Sequence, residues 1–238
     1  FGLNLHAYMD QYDYHKEYLI ENPEKYCEYD IQTKQLQYLI MSIDGLCDLK
    51  GSKNYVLKKA YKQFSKAVGE LYEFLHIFKS DLKNIEIDRK ENKDFWLCDL
   101  IMVYDDYKVH AEFESTGIKK LIRLFTYLQK MVRGEIVFID EFDSNLHDVY
   151  LCAILEYLME HGKGQLCFTT HNVGPMDVLR RRKKSIDFLS ENHKIYPWTA
   201  NGNYSPAKLY RNGMIEGSPF NVDSIDFIGV FDSGEEDE

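Results

Sequence analysis

The stretch EIVFIDEFDSNLH, residues 135–147, contains the clearest indication of the fold. Its four apolar residues, Ile136 to Ile139, run directly into the acidic pair Asp140 and Glu141. A short continuous apolar run is typical of a strand that is covered on both faces in a parallel sheet. In such sheets, functional groups collect just past the carboxyl ends of the strands. The pattern therefore predicts a strand that holds two carboxylates at a sheet edge, where a hard cation and a phosphate can bind.

The residues that follow continue a strand–helix–strand alternation. DVYLCAILEYLMEHG is amphipathic and predicts a helix closed by Gly162, and QLCFTTHN predicts a second short strand that ends at Thr169–His171. A strand, crossover helix and strand of this length imply a parallel pair in an α/β sheet. Since parallel strands end at the same edge, we expect Asp140, Glu141 and His171 to converge, although 30 residues separate the last two.

The rest of the chain divides into three predicted regions. Residues 1–85 predict a mainly helical insertion or arm, with apolar residues at helical spacing over 56–78 and a break near DLKGSKN. Residues 86–231 predict an α/β region, in which DFWLCDLIMVYDDYKVHAEFES indicates a hairpin and TGIKKLIRLFTYLQKMVRG a helix ended by Gly134. This region also contains a further strand, SIDFLS. Residues 232–238 predict an acidic tail.

Composition narrows the class of protein. The chain has 238 residues, of which 45% are hydrophobic and 29% charged, values that indicate a soluble globular protein. No apolar run approaches the roughly 20 residues of a membrane span, so we expect no membrane segment. The five scattered cysteines form no C-x-x-C pair and indicate a reducing cytoplasm. Because the chain begins with Phe1, we expect it to be processed or to be a segment of a longer protein.

Charge argues against general nucleic-acid binding. The net charge is −10, so the chain does not coat nucleic acid by bulk attraction. The densest basic run, RRRKK at Arg180–Lys184, leaves a local nucleic-acid patch open. A solvated helix end, where cations favour the terminal carbonyls, is the interpretation that we favour for this run.

The predicted edge has the chemistry of nucleotide hydrolysis. Asp140 is suited to bind Mg²⁺, usually through water. Glu141 is suited to orient or deprotonate an attacking water, and a histidine such as His171 can stabilise charge that develops on a γ-phosphate. Asp143 is expected to be a turn residue rather than a second metal ligand.

Four short motifs occur in a fixed order along the chain. They are ESTGIKKL (residues 114–121), IVFIDE (136–141), SNLH (144–147) and TTHN (169–172). In this order they resemble the signature motif, Walker B, D-loop and H-loop of the ATP-binding-cassette (ABC) type of ATPase domain. The branch that they resemble most contains the SMC and RecF-like ATPases and the related AAA-family ATPases of bacterial abortive-infection and antiphage systems. The resemblance implies an α/β fold: the C-terminal half of a parallel-sheet, ABC-type P-loop NTPase, with the helical region as an insertion.

The resemblance also implies that two such domains bind ATP and Mg²⁺ between them as a homo-oligomer. Asp140 would be the metal ligand, with Glu141 as the catalytic base and His171 as the switch histidine. The signature residues Ser115 and Gly117 begin a predicted helix, whose free N–H groups attract anions, and would contact the γ-phosphate that a partner holds. In the D-loop, Asn145 and His147 would lie near the nucleotide.

Two departures from the family pattern stand out. The Walker A loop, G-x-x-x-x-G-K-[ST], is absent from the chain, and HGKGQL lacks both the earlier glycine and the hydroxyl residue. We expect this loop to lie upstream of Phe1, or else to be supplied by a partner whose site this chain completes. His147 stands where many relatives carry Asp.

The compact insertion favours a defence-type ATPase that senses infection and controls a nuclease or toxin effector, since a long SMC coiled coil needs a longer one. A DNA-repair ATPase of the SMC and RecF-like kind is the alternative within the family. Outside it, DEFD and YDDY could supply the carboxylates of a Mg²⁺-dependent nuclease, and the missing Walker A allows a non-catalytic scaffold.

Overall fold

The computed structural model describes residues 5–9, 51–92, 95–190, 193–198 and 205–215. The chain forms two compact units, residues 1–171 and 172–238. The predicted acidic tail and most of the N-terminal helical region lie outside the described residues. None of the helices in the described part is both long and apolar enough to span a membrane.

The elements of the first unit follow one another in a mixed order of strands and helices. They are β1 (Leu5–Tyr8), β2 (Lys53–Leu57), α1 (Tyr61–Phe78), β3 (Asn84–Asn92), β4 (Phe95–Val103), β5 (Lys108–His110), α2 (Thr116–Arg133), β6 (Ile136–Ile139), α3 (Asp148–His161) and β7 (Gln165–Phe168). The second unit contains α4 (Gly174–Val178), β8 (Asp187–Leu189), β9 (Ile195–Pro197) and α5 (Pro206–Arg211).

A parallel sheet of order β1-β6-β7 forms the part of the first unit that carries the acidic pair. The strand predicted at residues 136–139 is therefore central, with Tyr8, Ile139 and Phe168 in register across the three strands. The strand–helix–strand prediction is confirmed, because α3 connects β6 to the parallel strand β7. β1 was not predicted: its four residues are too few to show a strand pattern beside the helical signals around them.

The two faces of this sheet differ. Val137 and Ile139 are buried on the face where α2 contacts β6 and β1. On the opposite face Phe138 is 43% exposed, and its neighbours in register, Ala7 and Cys167, are exposed as well. The prediction that β6 is covered on both faces is thus wrong for the part of the chain that the structure describes, because no element there packs over Phe138.

An antiparallel sheet of order β2-β4-β3, with β5 also paired to β4, forms the rest of the first unit. The predicted hairpin is confirmed as β4 and β5. Helix α1 buries Phe64 and Leu71 and contacts α2 and β3, so the apolar stripe predicted there is a core face. Within the described part of residues 1–85, Val56 belongs to β2 and pairs with Trp96 in the sheet instead of extending α1.

The second unit has a small core of its own. Ile186, Phe188 and Trp198 are buried, and five partly buried hydrophobic residues pack on them: Met176, Leu179, Tyr196, Tyr210 and Ile215. The predicted strand SIDFLS forms β8, whose partner is the antiparallel strand β9.

Candidate active site

Asp140 lies at the carboxyl edge of the parallel sheet. Its N–H donates to the carbonyl of Tyr8 at 2.9 Å, so the backbone still follows the parallel ladder at this residue. The Asp140 side chain is exposed, and its Oδ1 accepts a hydrogen bond from the Thr169 hydroxyl at 2.7 Å. One carboxylate oxygen is therefore fixed in direction, and the other has no hydrogen-bond partner among the described residues.

Thr169 is the residue that joins the two strand ends. Its hydroxyl donates to Asp140 and accepts from the Glu141 N–H at 2.8 Å. Its N–H donates to Ile139 at 3.0 Å, and its carbonyl accepts from Phe142 at 2.9 Å. Four hydrogen bonds from one residue hold the acidic pair against the end of β7. Sequence reasoning placed Thr169 in a motif but assigned it no role.

Glu141 leaves the strand conformation. Its φ is 48°, in the left-handed region that few residues other than glycine adopt. The Glu141 carbonyl accepts from the Ser144 N–H at 3.0 Å and from Lys120 Nζ at 2.9 Å. The side chain is half-buried, and within the described residues its carboxylate has no hydrogen bond or ion pair. Glu141 thus has a restrained backbone and a carboxylate that is available for chemistry.

His171 is held beside the acidic loop through its backbone. The His171 N–H donates to Asp143 Oδ1 at 3.3 Å, and the side chain of His171 is exposed. Asp143 also accepts from the Leu146 N–H at 3.0 Å, so this residue both closes a turn and ties the loop to the segment after β7. The structure therefore brings Asp140, Glu141 and His171 to one edge of the sheet.

The start of α2 lies against the loop that follows β6. Ser115 is the N-cap of α2, and its Oγ accepts from the Ile118 N–H at 3.3 Å. A methyl group placed on Gly117 would lie only 2.8 Å from the Asn145 carbonyl oxygen, so glycine allows this close approach. Asn145 has a φ of 59° and donates from Nδ2 to Ser144 Oγ at 3.2 Å. The predicted signature and D-loop residues are neighbours within one chain.

His147 has a structural role that the sequence reasoning did not give it. It is the N-cap of α3, where Nδ1 accepts from the Val149 N–H at 3.3 Å. An aspartate, which many relatives carry here, is among the preferred N-cap residues. His147 thus supplies at this position the cap that an aspartate could also supply.

A buried tyrosine anchors the residue before the signature helix. The Tyr104 hydroxyl donates to the carboxylate of Glu114, which directly precedes Ser115. Burial, followed by this hydrogen bond and the charge of Glu114, raises the pKa of Tyr104 well above its usual value near 10. Sequence reasoning missed this pair, because Tyr104 directly follows β4 and no local pattern shows that its hydroxyl reaches Glu114.

The donor set fits a lightly coordinated hard cation. Mg²⁺ is usually held by one or two carboxylates, with water and phosphate oxygens completing the shell, and Asp140 offers one carboxylate oxygen without a protein partner. Within the described residues, no three His, Cys, Asp or Glu side chains come together in a way that could hold a metal ion.

One comparison with known proteins gave a match. Residues 62–177 match the family described as AAA domain, putative AbiEii toxin, Type IV TA system. This range includes α2, β6, α3 and β7 and every site residue discussed above except those of β1. The match supports an AAA-family P-loop ATPase domain, with which the mixed α/β architecture and the parallel sheet are consistent. None of the curated proteins matches the chain.

Proposed function

We propose that this chain is the C-terminal half of an ABC-type ATPase domain that dimerises around ATP and hydrolyses it. The observation that carries the proposal is the edge formed by Asp140, Glu141 and His171. Each of the three side chains has at least one polar atom with no hydrogen-bond partner among the described residues. The backbone around them is nevertheless held by several hydrogen bonds. A restrained backbone that presents free carboxylates and an imidazole favours catalysis over a purely structural loop.

In this proposal the two carboxylates have different roles. Asp140 would hold Mg²⁺, and the Thr169 hydroxyl fixes the direction of its carboxylate. When bound, Mg²⁺ neutralises charge on the phosphate oxygens. Glu141 accepts a proton from the attacking water, because its carboxylate has no competing partner among the described residues. His171 donates a hydrogen bond to the γ-phosphate oxygen as charge develops there.

The signature element acts on the nucleotide of the second copy. Ser115 begins an 18-residue helix, so its hydroxyl and the free N–H groups of the first turn attract an anion. Gly117 and Asn145 complete this surface, and the short contact between them makes it one unit. His147 stays near the nucleotide mainly as the cap of α3.

The proposal requires a phosphate-binding loop, and the pattern G-x-x-x-x-G-K-[ST] does not occur in the 238 residues. Two features of the parallel sheet are compatible with a further strand and helix. In the described residues β7 pairs only with β6, so its second edge is open, and the face around Phe138 is exposed. Because parallel sheets are normally covered on both faces, we expect further chain to pack there.

Replacing Glu141 with Gln tests the proposed chemistry in the full-length protein. The amide keeps the shape of the side chain but cannot accept the proton from water, so ATP turnover should fall by about 10²-fold or more. ATP binding and the ATP-dependent dimer should persist, because the substitution leaves the binding surfaces intact. Glu156→Gln, on the exposed side of α3, is the matched control and should behave as wild type.

The alternatives give different results in the same assay. A Mg²⁺-dependent nuclease would lose DNA or RNA cleavage in Glu141→Gln, whether or not nucleotide is present. A scaffold would show no ATP turnover in the wild type and no change in the variant. Either result would contradict the proposed ATPase.

We further propose that the ATPase senses infection in the cytoplasm and controls a nuclease or toxin effector. The support is the family match, whose description names a toxin of a toxin–antitoxin system. Cells that carry the intact locus should restrict phage, and Glu141→Gln should remove that protection. A phenotype confined to DNA damage, with unchanged phage sensitivity, would favour the SMC and RecF-like repair ATPases instead.

A local nucleic-acid contact is proposed at the basic run Arg180–Lys184. Residues 172–238 hold eight Lys and Arg against eleven Asp and Glu, so the contact rests on this run and not on the charge of the whole unit. Arg180 and Arg181 lie in a 3₁₀ turn and Arg182 follows it, and all three are exposed. Changing these three arginines to Gln should weaken double-stranded DNA binding and lower its salt dependence, because phosphate contacts release counterions. Unchanged affinity and salt slope would exclude this contact.

A further inference from the structure

Lys120 is a buried lysine on the helix that starts at the signature residues. It lies in the second turn of α2, and only 2% of its surface is exposed. Lysine is almost never fully buried unless its ammonium group has partners. The position therefore requires an explanation in terms of what the ammonium group contacts.

The contacts of Lys120 converge on the acidic loop. Nζ donates to the Glu141 carbonyl at 2.9 Å and to Ser144 Oγ at 3.2 Å. The same ammonium lies 5.1 Å from the centre of the Tyr8 ring, at the end of β1, within the range of a cation–π interaction. One side chain of α2 thus connects the end of β1 with both ends of the turn from Glu141 to Ser144.

The bond to the Glu141 carbonyl matters because of the conformation of that residue. With a φ of 48°, Glu141 is in a sparsely populated region that persists only when its surroundings impose it. Loss of the bonds to this carbonyl would release the turn from Glu141 to Ser144, and the Glu141 side chain would move with that turn. A charged donor makes a stronger hydrogen bond than a neutral one, so Lys120 is the strongest single restraint on the Glu141 carbonyl among its described contacts.

We propose that Lys120 is a positioning residue that fixes the direction of the Glu141 carboxylate and links it to the start of α2. The role rests on the proposed function, since it assumes that Glu141 activates water. Lys120 acts through Glu141 and Ser144. Ser115 caps α2, and Gly117 and Lys120 lie in its first two turns. If a bound partner displaces the start of α2, Lys120 therefore transmits the displacement to the turn from Glu141 to Ser144.

The test compares Lys120→Met with Lys62→Met in the full-length protein. Methionine keeps the length and apolar stem of the side chain but removes the ammonium group. Lys62 is the control, because it is an exposed lysine of α1 and lies outside the signature motif. Lys120→Met should lower kcat for ATP by roughly 10²-fold and change KM by less than about 2-fold, since misplacing a catalytic group affects the chemical step more than binding. Lys120→Arg should restore part of kcat.

A second measurement does not depend on ATP turnover. Amide hydrogen exchange at residues 141–145 should become at least about 10-fold faster in Lys120→Met, whereas exchange in α3 should stay unchanged. Ser144→Ala, which removes the acceptor Ser144 Oγ and leaves the Glu141 carbonyl in place, should give a smaller increase in the same segment.

The outcomes separate this inference from the proposed function. A wild-type protein that does not turn over ATP contradicts the proposed function, and hydrogen exchange then decides whether Lys120 restrains the loop. A Lys120→Met protein with wild-type kcat and exchange contradicts the inference, as does an equal loss in Lys62→Met. A third result would also contradict the inference: Lys120→Met no longer unfolds cooperatively, and hydrogen exchange in Ser144→Ala is normal. Lys120 would then only stabilise the core.

Discussion

Replacing Gly117 with Ala tests the contact between the start of α2 and the loop after β6. The added methyl group would lie 2.8 Å from the carbonyl oxygen of Asn145. An ordinary contact begins at 3.4 Å, so the carbonyl has to retreat by about 0.6 Å. This neighbour is backbone rather than a flexible side chain, and Asn145 already has a φ of 59°, so little room remains for adjustment.

Two opposing effects set the magnitude. Overpacking of this kind costs about 1–3 kcal/mol, and alanine is more favourable than glycine in a helix by about 0.5–1 kcal/mol. Gly117→Ala should therefore lower the free energy of unfolding by about 0.5–2 kcal/mol, or Tm by about 2–6 °C. Gly69→Ala is the matched control. Gly69 is exposed within α1, and a methyl group there would contact nothing within 4 Å, so this variant should gain about 0.5–1 kcal/mol.

The assay combines thermal unfolding with ATP turnover of the full-length protein. Displacement of the loop should lower turnover of Gly117→Ala by about tenfold or more, because Ser144 and Glu141 belong to the same turn. Gly69→Ala should turn over as wild type. A Gly117→Ala protein that gains stability like Gly69→Ala, with unchanged turnover, would refute the close approach.

Two further predictions follow from shifted pKa values. Burial and the bond to Glu114 raise the pKa of Tyr104, so the unfolded chain loses this proton near pH 10 while the folded chain keeps it, and stability should fall as pH rises through 10. Tyr104→Phe should lower the free energy of unfolding, measured in urea at pH 7, by about 1–2 kcal/mol. It should also reduce the loss of stability above pH 10; an unchanged loss would contradict the bond between Tyr104 and Glu114. Burial raises the pKa of the Cys98 thiol to about 11, so iodoacetamide at pH 8 should label the exposed Cys167 and spare Cys98 until urea is added, as mass spectrometry would detect. Labelling of native Cys98 at the rate of Cys167 would contradict this.

The parts of the fold that the sequence predicts are those with strong local patterns. α2 is bounded by Ser115 as its N-cap and Gly134 in a left-handed conformation as its C-cap, and both residues were identifiable from the chain. The connection from β6 through α3 to β7 was predictable because apolar runs and an amphipathic helix alternate at crossover spacing. These elements bring Asp140, Glu141 and His171 to one edge.

The remainder depends on long-range contacts that leave no local pattern. β1 has only four residues and becomes a strand because β6, more than 120 residues later, offers it a partner edge. Val56 fits a helical stripe as well as a strand, and its pairing with Trp96 decides the outcome. Lys120 reads as a surface lysine, because burial of its ammonium depends on a carbonyl 21 residues away. Nothing in the sequence around Thr169 indicates that its hydroxyl bonds to both Asp140 and Glu141.

The neighbouring carboxylates acquire different chemistry because the backbone changes direction between them. Asp140 still follows the parallel ladder through its bond to Tyr8, so its side chain stays at the sheet edge and is fixed by Thr169. At Glu141 the ladder ends, since its N–H bonds to the Thr169 side chain and its φ becomes positive. In a regular strand the two carboxylates would also point to opposite faces. The Glu141 carbonyl, however, would then bond to a neighbouring strand and could not accept from Lys120. The turn exposes that carbonyl to Lys120 instead, and α2 thereby gains a direct contact with the residue proposed to activate water.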